Sequence, residues 1–132
     1  MAISKMTAEF GCSAEKLWEL VTSTENYAWR SDISEIVVLK EGSIFEEHTK
    51  EGYVTKFTIT AFEPYSRYEF DMENENMSGH WTGFFSAGEN KVSAEFTEDV
   101  TAKKLIMKPF VKGYLQKQQQ RYIDDLKKAL NQ

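Results

Sequence analysis

The segment Arg67-Tyr-Glu-Phe-Asp-Met-Glu73 decides the fold, because its side chains alternate strictly between charged and apolar. Tyr68, Phe70 and Met72 fall on one face of an extended chain, and the charged residues fall on the other. One apolar and one charged face are typical of a strand in an antiparallel sheet that is covered on one side only.

Six further segments carry the same period-two pattern. It is clear at 4–10, 53–61 and 92–98, and weaker at 34–40, 44–50 and 78–86. Short polar stretches suited to hairpin turns separate neighbouring segments, at 41–43, 51–52, 63–66, 74–76 and 88–90. The pattern therefore predicts a seven-stranded antiparallel meander that is interrupted once, after the first strand.

Helical periodicity occurs in two places, after the first predicted strand and after the last one. Ser13 is a suitable N-cap for a short helix that begins at Ala14, and a second short helix is predicted from Thr24 to about Ala28. A long C-terminal helix is predicted from a stripe spaced by 3.6 residues: Met107, Val111, Tyr114, Gln118, Tyr122, Leu126 and Ala129. Pro109 is expected to kink this helix or to lie in its first turn.

The composition indicates a bulky interior. A chain of 132 residues predicts one domain over 1–132, yet it contains nine Phe, six Tyr and three Trp. These are more aromatic residues than a small solid core usually needs. The apolar face of the sheet must be covered, and the C-terminal helix is the only predicted element long enough to cover it. A sheet that curls around this helix would leave a hollow between them.

Charge and motifs exclude several classes of function. The 16 basic and 21 acidic residues give a net charge of −5, which argues against a nucleic-acid partner. The lysines between Lys103 and Lys117 are interpreted as the solvated face of a helix. Cys12 is the only cysteine, and no nucleotide-binding or zinc-binding motif occurs, so neither a metal nor a cofactor is expected. No signal peptide or long apolar segment occurs, which predicts a cytoplasmic protein without integral membrane association.

The order of these elements resembles a known superfamily. The segments that carry the resemblance are Ser13-Ala-Glu-Lys-Leu-Trp-Glu-Leu-Val21, Asn26-Tyr-Ala-Trp-Arg-Ser-Asp32, Glu63-Pro-Tyr-Ser-Arg67, Asn90-Lys-Val-Ser93, Leu105-Ile-Met-Lys-Pro-Phe110 and Tyr122-Ile-Asp-Asp-Leu-Lys-Lys-Ala-Leu130. Together they resemble the START-like (SRPBCC) helix-grip superfamily, and within it the polyketide cyclase/dehydrase and lipid transport family. The resemblance implies an α+β helix-grip fold, in which a curved seven-stranded antiparallel sheet wraps around a long C-terminal helix. Two short helices follow the first strand, and a deep apolar pocket lies between sheet and long helix.

The residues expected to line this pocket come from alternation, from the helical stripe and, for Trp29, from the resemblance. They are Trp29, Phe45, Phe57, Ile59, Tyr68, Phe70, His80, Phe96, Met107, Val111, Tyr114 and Gln118. The pattern leaves open which face of strand 78–86 points inward. Thr55, Tyr68, Tyr114 and Gln118 would bring polar groups onto an otherwise apolar surface, where each needs a partner.

Three functions remain open at this point. The first is binding of a small hydrophobic or aromatic ligand, lipid-like or polyketide-like, in the pocket. The second is an enzyme of the cyclase/dehydrase type, in which His48 or His80 would move protons with Tyr68 or Tyr114. The third is a non-catalytic protein-interaction module with a solid core. No residue is assigned as catalytic, and the oligomeric state is not predicted.

Overall fold

One curved antiparallel sheet of seven strands dominates the computed structural model, which describes residues 2–132. The strands are β1 (Ala2–Phe10), β2 (Ile33–Lys40), β3 (Ile44–Thr49), β4 (Val54–Glu63), β5 (Arg67–Glu73), β6 (Met77–Gly88) and β7 (Lys91–Ala102). Their order across the sheet is β1-β7-β6-β5-β4-β3-β2, so consecutive strands pair except where β1 closes against β7. The predicted α+β fold and its seven strands are confirmed, and within residues 2–132 the curved sheet is open, with β1 and β2 at its edges.

The helix that follows β1 forms as predicted, but the second short helix does not. Helix α1 (Ala14–Thr22) begins as expected, with the Ser13 side chain accepting a hydrogen bond from the Lys16 amide. The second short helix, predicted at 24–28, is not formed. Ser23 Oγ there accepts hydrogen bonds from the amides of Glu25 and Asn26, which turns the chain without a helix. Hydroxyl groups commonly compete with helical hydrogen bonding in this way.

The C-terminal helical region consists of a 3₁₀ helix (Leu105–Phe110) followed by α2 (Val111–Ala129). Pro109 lies in the 3₁₀ helix, just before α2 begins, so α2 itself contains no proline. The buried face of α2 includes Val111, Leu115, Gln119, Ile123 and Leu126. This face is rotated from the predicted stripe, which leaves Tyr114 half exposed.

A buried hydrogen-bond group fixes the rotation of α2. Ser4 Oγ donates to Gln119 Oε1 at 2.7 Å, and Gln119 Nε2 donates to the carbonyl oxygens of Ser4 and Phe96. These polar groups are satisfied only when Gln119 faces the β1–β7 pair. The apolar core consists of two clusters of buried side chains. In the larger cluster, Trp18 of α1 packs against Tyr68 and Phe85. The rest of the concave sheet face, formed by β2 to β5, is left only partly covered.

Candidate functional site

A cavity of about 180 Å³ lies between the concave sheet face and α2. Ten of the residues that line it are aromatic. Among them, Phe45 and Phe57 stack at 5.0 Å, and Phe70 meets Phe57 edge-on at 5.0 Å. Tyr114, Gln118 and Tyr122 border it from the helix, and residues between Val21 and Asp32 border it from the α1–β2 connection. The hollow expected between sheet and helix is therefore present.

Eight of the twelve residues predicted for the pocket line this cavity. They are Trp29, Phe45, Phe57, Tyr68, Phe70, Phe96, Tyr114 and Gln118. Thr55 also lines it, and its Oγ1 accepts a hydrogen bond from Asn74 Nδ2 at 3.0 Å. Phe45, Phe57, Tyr68 and Phe70 lie on strands β3 to β5, and all four border the cavity as alternation led us to expect, because one face of a sheet repeats every two residues.

The other four predicted residues lie elsewhere. Val111 is buried in a separate cluster with Val100, Ala102 and Leu115, and Met107 packs against that cluster. Ile59 packs against the main core, next to a register shift between Ile59 and Ala61. These three residues fill apolar interior beside the cavity rather than bordering it.

His80 lies on the convex face of the sheet, opposite the cavity. Its Nε2 is 2.6 Å from Glu69 Oε1 and its Nδ1 is 2.7 Å from Asp71 Oδ1. Burial lowers the pKa of His80, but the hydrogen bonds to Asp71 and Glu69 and their negative charges raise it more, so the net shift is upward. The same contact with His80 lowers the pKa of Glu69. His48 also lies outside the cavity lining, with its ring 3.4 Å from Glu46.

Trp81, the neighbour of His80, is the inward residue of β6 that sequence analysis did not select. Its indole stacks on Phe70 at 4.8 Å and on Phe96 at 5.3 Å, and it lines the cavity. A Cβ atom at Gly83 would lie 2.7 Å from the Trp81 ring. Glycine at position 83 is therefore what allows the indole to lie flat along the strand.

Arg30 holds a saturated ion cluster at the cavity wall. Its guanidinium makes a bidentate pair with Asp32, at 3.1 Å for both contacts, and a second with Glu47, at 3.1 and 3.2 Å. It also lies over the Tyr122 ring at 5.1 Å and over Trp29 at 5.8 Å. Burial lowers the pKa of Arg30, but the adjacent carboxylates more than reverse this effect, so the arginine stays charged.

Hydrogen bonds from the neighbouring residues hold this cluster in place. The buried carboxylate of Asp125 on α2 accepts hydrogen bonds from the Ser31 amide at 2.9 Å and from the Ser31 hydroxyl at 2.8 Å. Trp29 Nε1 donates to the Asn26 carbonyl oxygen at 2.9 Å. The segment around Arg30 is thus attached to the long helix, which fixes the mouth of the cavity relative to α2.

Glu98 is the second charged feature of the cavity. In register it lies between Ser4 of β1 and Trp81 of β6, both of which are buried on the inner face. Among residues 2–132, its carboxylate has neither a hydrogen-bond nor an ion-pair partner. Burial, and then the negative charge of Glu47, raise the pKa of Glu98 from 4.5 to about 7, although Arg30 acts against this. A carboxyl group with this pKa can be protonated or ionised near neutral pH.

Two tyrosines share this environment. Burial is the main cause that raises the pKa of both Tyr68 and Tyr122, and the charge of Glu47 adds to it in each case. Both phenols therefore stay neutral and line the cavity as hydrogen-bond donors. Tyr122 was part of the predicted helical stripe but was not selected as a site residue.

The charged site residues were missed for different reasons. Glu98 continues the Val92, Ala94, Phe96 alternation by one step, so extending that pattern would have found it. Glu47 follows Phe45 in the same way. Arg30 and Asp32 lie in an irregular segment, where no periodicity indicates which side chain points inward.

Comparison with known proteins agrees with this architecture. The sequence model of the family described as "Polyketide cyclase / dehydrase and lipid transport" matches residues 1–131. The chain belongs to this family. A search of curated proteins finds no match to this chain.

Solved structures share the fold of this family member. A START superfamily protein from Mycobacterium smegmatis has a TM-score of 0.90 at 15% identity, with 99% of this chain and 98% of that one covered. A conserved protein from Geobacillus kaustophilus has a TM-score of 0.81 at 10% identity, covering 98% and 95% of the two chains. The di-domain ARO/CYC BexL from the BE-7585A biosynthetic pathway has a TM-score of 0.78 at 10% identity, covering 96% of this chain and 45% of that one. At these identities the likeness concerns the fold alone.

Two negative findings apply to residues 2–132. No helix there is long and apolar enough to cross a membrane. No group of three or more histidine, cysteine or carboxylate side chains is arranged to hold a metal ion there.

Proposed function

We propose that this protein binds a small aromatic or hydrophobic molecule whose polar group is neutral or basic, in the cavity between the sheet and α2. The observation that carries the proposal is an aromatic cavity whose arginine is already saturated by two carboxylates. The family and the fold support a ligand-binding role, and the cavity wall supports the chemical class of the ligand.

The size of the cavity favours a compact ligand. Its volume of about 180 Å³ is below the roughly 300–1,000 Å³ of typical ligand pockets. It is close to the about 150 Å³ of an apolar protein cavity that holds benzene. A ligand of one or two rings fits this space, and stacking against Phe45, Phe57 or Trp81 would orient the rings.

The charges of the cavity disfavour an anionic ligand. Arg30 is the only basic side chain that lines it within residues 2–132, and it already faces both Asp32 and Glu47. The three groups together carry one negative charge, and ionised Glu98 adds another. A carboxylate on the ligand would find no free cation, whereas an ammonium or N–H group would find Glu98 as an acceptor.

A second candidate function is proton transfer to a bound ligand, as in a cyclase or dehydrase. The observation that favours it is Glu98, whose pKa of about 7 suits a general acid or base at neutral pH. The phenols of Tyr68 and Tyr122 would serve as hydrogen-bond donors in the same cavity. In this form of the proposal the proton carrier is Glu98 rather than His48 or His80, because neither histidine lines the cavity.

Three probes that share one ring system test the proposed ligand class. Indole, tryptamine and indole-3-acetate are neutral, cationic and anionic, so their binding isolates the effect of charge. We expect indole and tryptamine to raise the melting temperature and indole-3-acetate to leave it unchanged, as measured by thermal shift and by titration calorimetry. Stabilisation by indole-3-acetate equal to or greater than that by indole would contradict the charge argument, and no stabilisation by any probe would contradict aromatic binding.

A matched pair of variants locates the binding. Tyr114 lines the cavity and is 48% exposed, so Tyr114→Ala is expected to fold and to weaken probe binding. Tyr53 is 57% exposed and does not line the cavity, so Tyr53→Ala is the control. Equal loss of affinity in both variants would show that the probes bind elsewhere.

A further inference from the structure

The 3₁₀ helix Leu105–Phe110 exposes apolar side chains to an unusual degree. Leu105 and Ile106 are each 79% exposed and Phe110 is 70% exposed, the three highest values among the large exposed hydrophobic residues of the described chain. Isolated exposed apolar residues are ordinary, but three of them within six residues form a patch. We refer to Leu105, Ile106 and Phe110 as the apolar tip.

The charge around the apolar tip is opposite to that of the rest of the chain. No Asp or Glu occurs between Asp99 and Asp124, whereas that interval contains Lys103, Lys104, Lys108, Lys112, Lys117 and Arg121. A protein with a net charge of −5 therefore concentrates positive charge in this one interval. Lys103 pairs with Glu73 at 3.2 Å. Lys104, Lys108 and Lys112 are exposed; Lys104 and Lys112 flank the apolar tip in sequence, and Lys108 lies within it.

The apolar tip also adjoins the cavity. Tyr114 lies one helical turn beyond Phe110 and lines the cavity, and Met107 packs against the cluster that contains Val111 and Leu115. Leu115 itself borders the cavity as well. A surface that received the apolar tip would therefore lie close to the helix-side wall of the cavity.

These features fit a lipid surface better than a protein partner. Three side chains cannot supply the about 800 Å² per partner that a stable protein interface buries. A symmetric pairing of two copies through this patch would bring like charges together. Apolar side chains surrounded by lysines match an anionic membrane interface, where the former enter the headgroup region and the latter contact phosphate or carboxylate groups.

We propose that the apolar tip inserts into the interface of an anionic lipid membrane, and that Lys104, Lys108 and Lys112 contact the lipid headgroups. This is peripheral docking and does not involve a membrane-spanning segment. It is independent of the ligand of the cavity, because the tip and its lysines lie outside the cavity lining.

Vesicle flotation tests the proposal directly. The probes are vesicles of phosphatidylcholine alone and vesicles with about 30 mol% phosphatidylserine. We expect the partition coefficient to be at least about ten-fold higher on the anionic vesicles and to fall strongly at about 0.5 M salt. Equal partition on both vesicle types, or none on either, would overturn the proposal.

Variants separate the apolar and electrostatic contributions. The triple variant Leu105→Ser, Ile106→Ser, Phe110→Ser changes only exposed side chains and is expected to lower partition by about ten-fold or more. The variant Lys104→Gln, Lys108→Gln, Lys112→Gln is expected to lower it on anionic vesicles to a similar extent. The control, Leu39→Ser with Phe84→Ser, removes exposed apolar side chains from the sheet and is expected to leave partition unchanged.

The competing explanation is that the apolar tip is an interface between two copies of this chain, and the oligomeric state tests it. Sedimentation velocity of the protein without lipid should give the same species for the wild type and for the triple serine variant. A dimer that is lost in the triple variant would make the apolar tip an interface between copies and would refute docking to lipid. Failure of the indole probes to bind would leave these vesicle results unaffected, so the two proposals can fail separately.

Discussion

Replacing Glu98 with Gln should stabilise the protein above neutral pH and change its stability little in acid. The reason is that the Glu98 carboxylate lies in an aromatic cavity without a partner among the described residues, so ionisation is more costly in the folded state than in the unfolded chain. Burial and the charge of Glu47 raise its pKa from 4.5 to about 7. Glutamine keeps the shape and the polarity of the side chain but cannot ionise.

The pH dependence follows from comparing the two states. Below the ordinary pKa, Glu98 is protonated in both the folded and the unfolded chain, and the charge costs nothing. As the pH rises from 4.5 toward 7, the unfolded chain ionises first, and folding becomes progressively less favourable. Above a pH of about 7, ionised Glu98 lowers the free energy of unfolding by its full amount, about 3 kcal/mol. At about pH 5 the loss is only about 1 kcal/mol or less.

Urea unfolding at about pH 5 and about pH 8 measures this difference. At the higher pH we expect the free energy of unfolding of Glu98→Gln to exceed that of the wild type by about 3 kcal/mol. This is equivalent to a rise of roughly 10 °C in melting temperature. Glu95→Gln is the matched control, because Glu95 lies on the same strand but faces outward and pairs with Lys5. A difference between wild type and Glu98→Gln that does not change with pH would refute the assignment of Glu98 as the titrating group.

Three further substitutions test other contacts, each by urea unfolding. Arg30→Met leaves the carboxylate of Glu47 without its partner and should cost about 3–5 kcal/mol, with partial recovery when Glu47→Gln is added; no recovery would contradict the ion-cluster explanation. Ser4→Ala removes the donor to Gln119 Oε1 and should cost about 1–3 kcal/mol, and a neutral result would mean that water replaces the hydroxyl. His80→Gln should lower stability in mild acid, where charged His80 pairs with Glu69 and Asp71. Because the folded state raises the pKa of His80, the wild type should lose its greater stability over His80→Gln as the pH rises through that raised value. A stability difference that grows with pH would contradict this explanation.

The fold could be predicted from sequence because its signals are local and repeated. Strict alternation in β5 and β7 identified the strands and their inward faces, and short polar breaks identified the hairpins. The resemblance to a helix-grip family then supplied the curvature, which alternation alone does not encode. The prediction of a second short helix was wrong because Ser23 makes hydrogen bonds that replace the helical ones.

Part of the uncharged wall of the candidate site was predicted, and its charged part was not. Phe45, Phe57 and Phe70 belong to regular strands, where a period of two fixes the direction of each side chain. The stripe on α2 was misplaced because Gln119, a polar residue, is the one that faces the sheet, and hydropathy gave it no weight. Arg30 and Asp32 meet Glu47 across a tertiary contact, which no local pattern of residues reports.

The order of strands in the sheet also governs when it can be completed. β1 is hydrogen-bonded along one side only, to β7, and the paired residues lie roughly ninety positions apart in the chain. During synthesis the first strand must remain without its partner until nearly all of the sheet has emerged from the ribosome, while β2 to β6 can pair as successive hairpins. Since Ser4 on β1 also orients α2, the closing of this last strand pair and the seating of the long helix become one late step, and the cavity exists only after it.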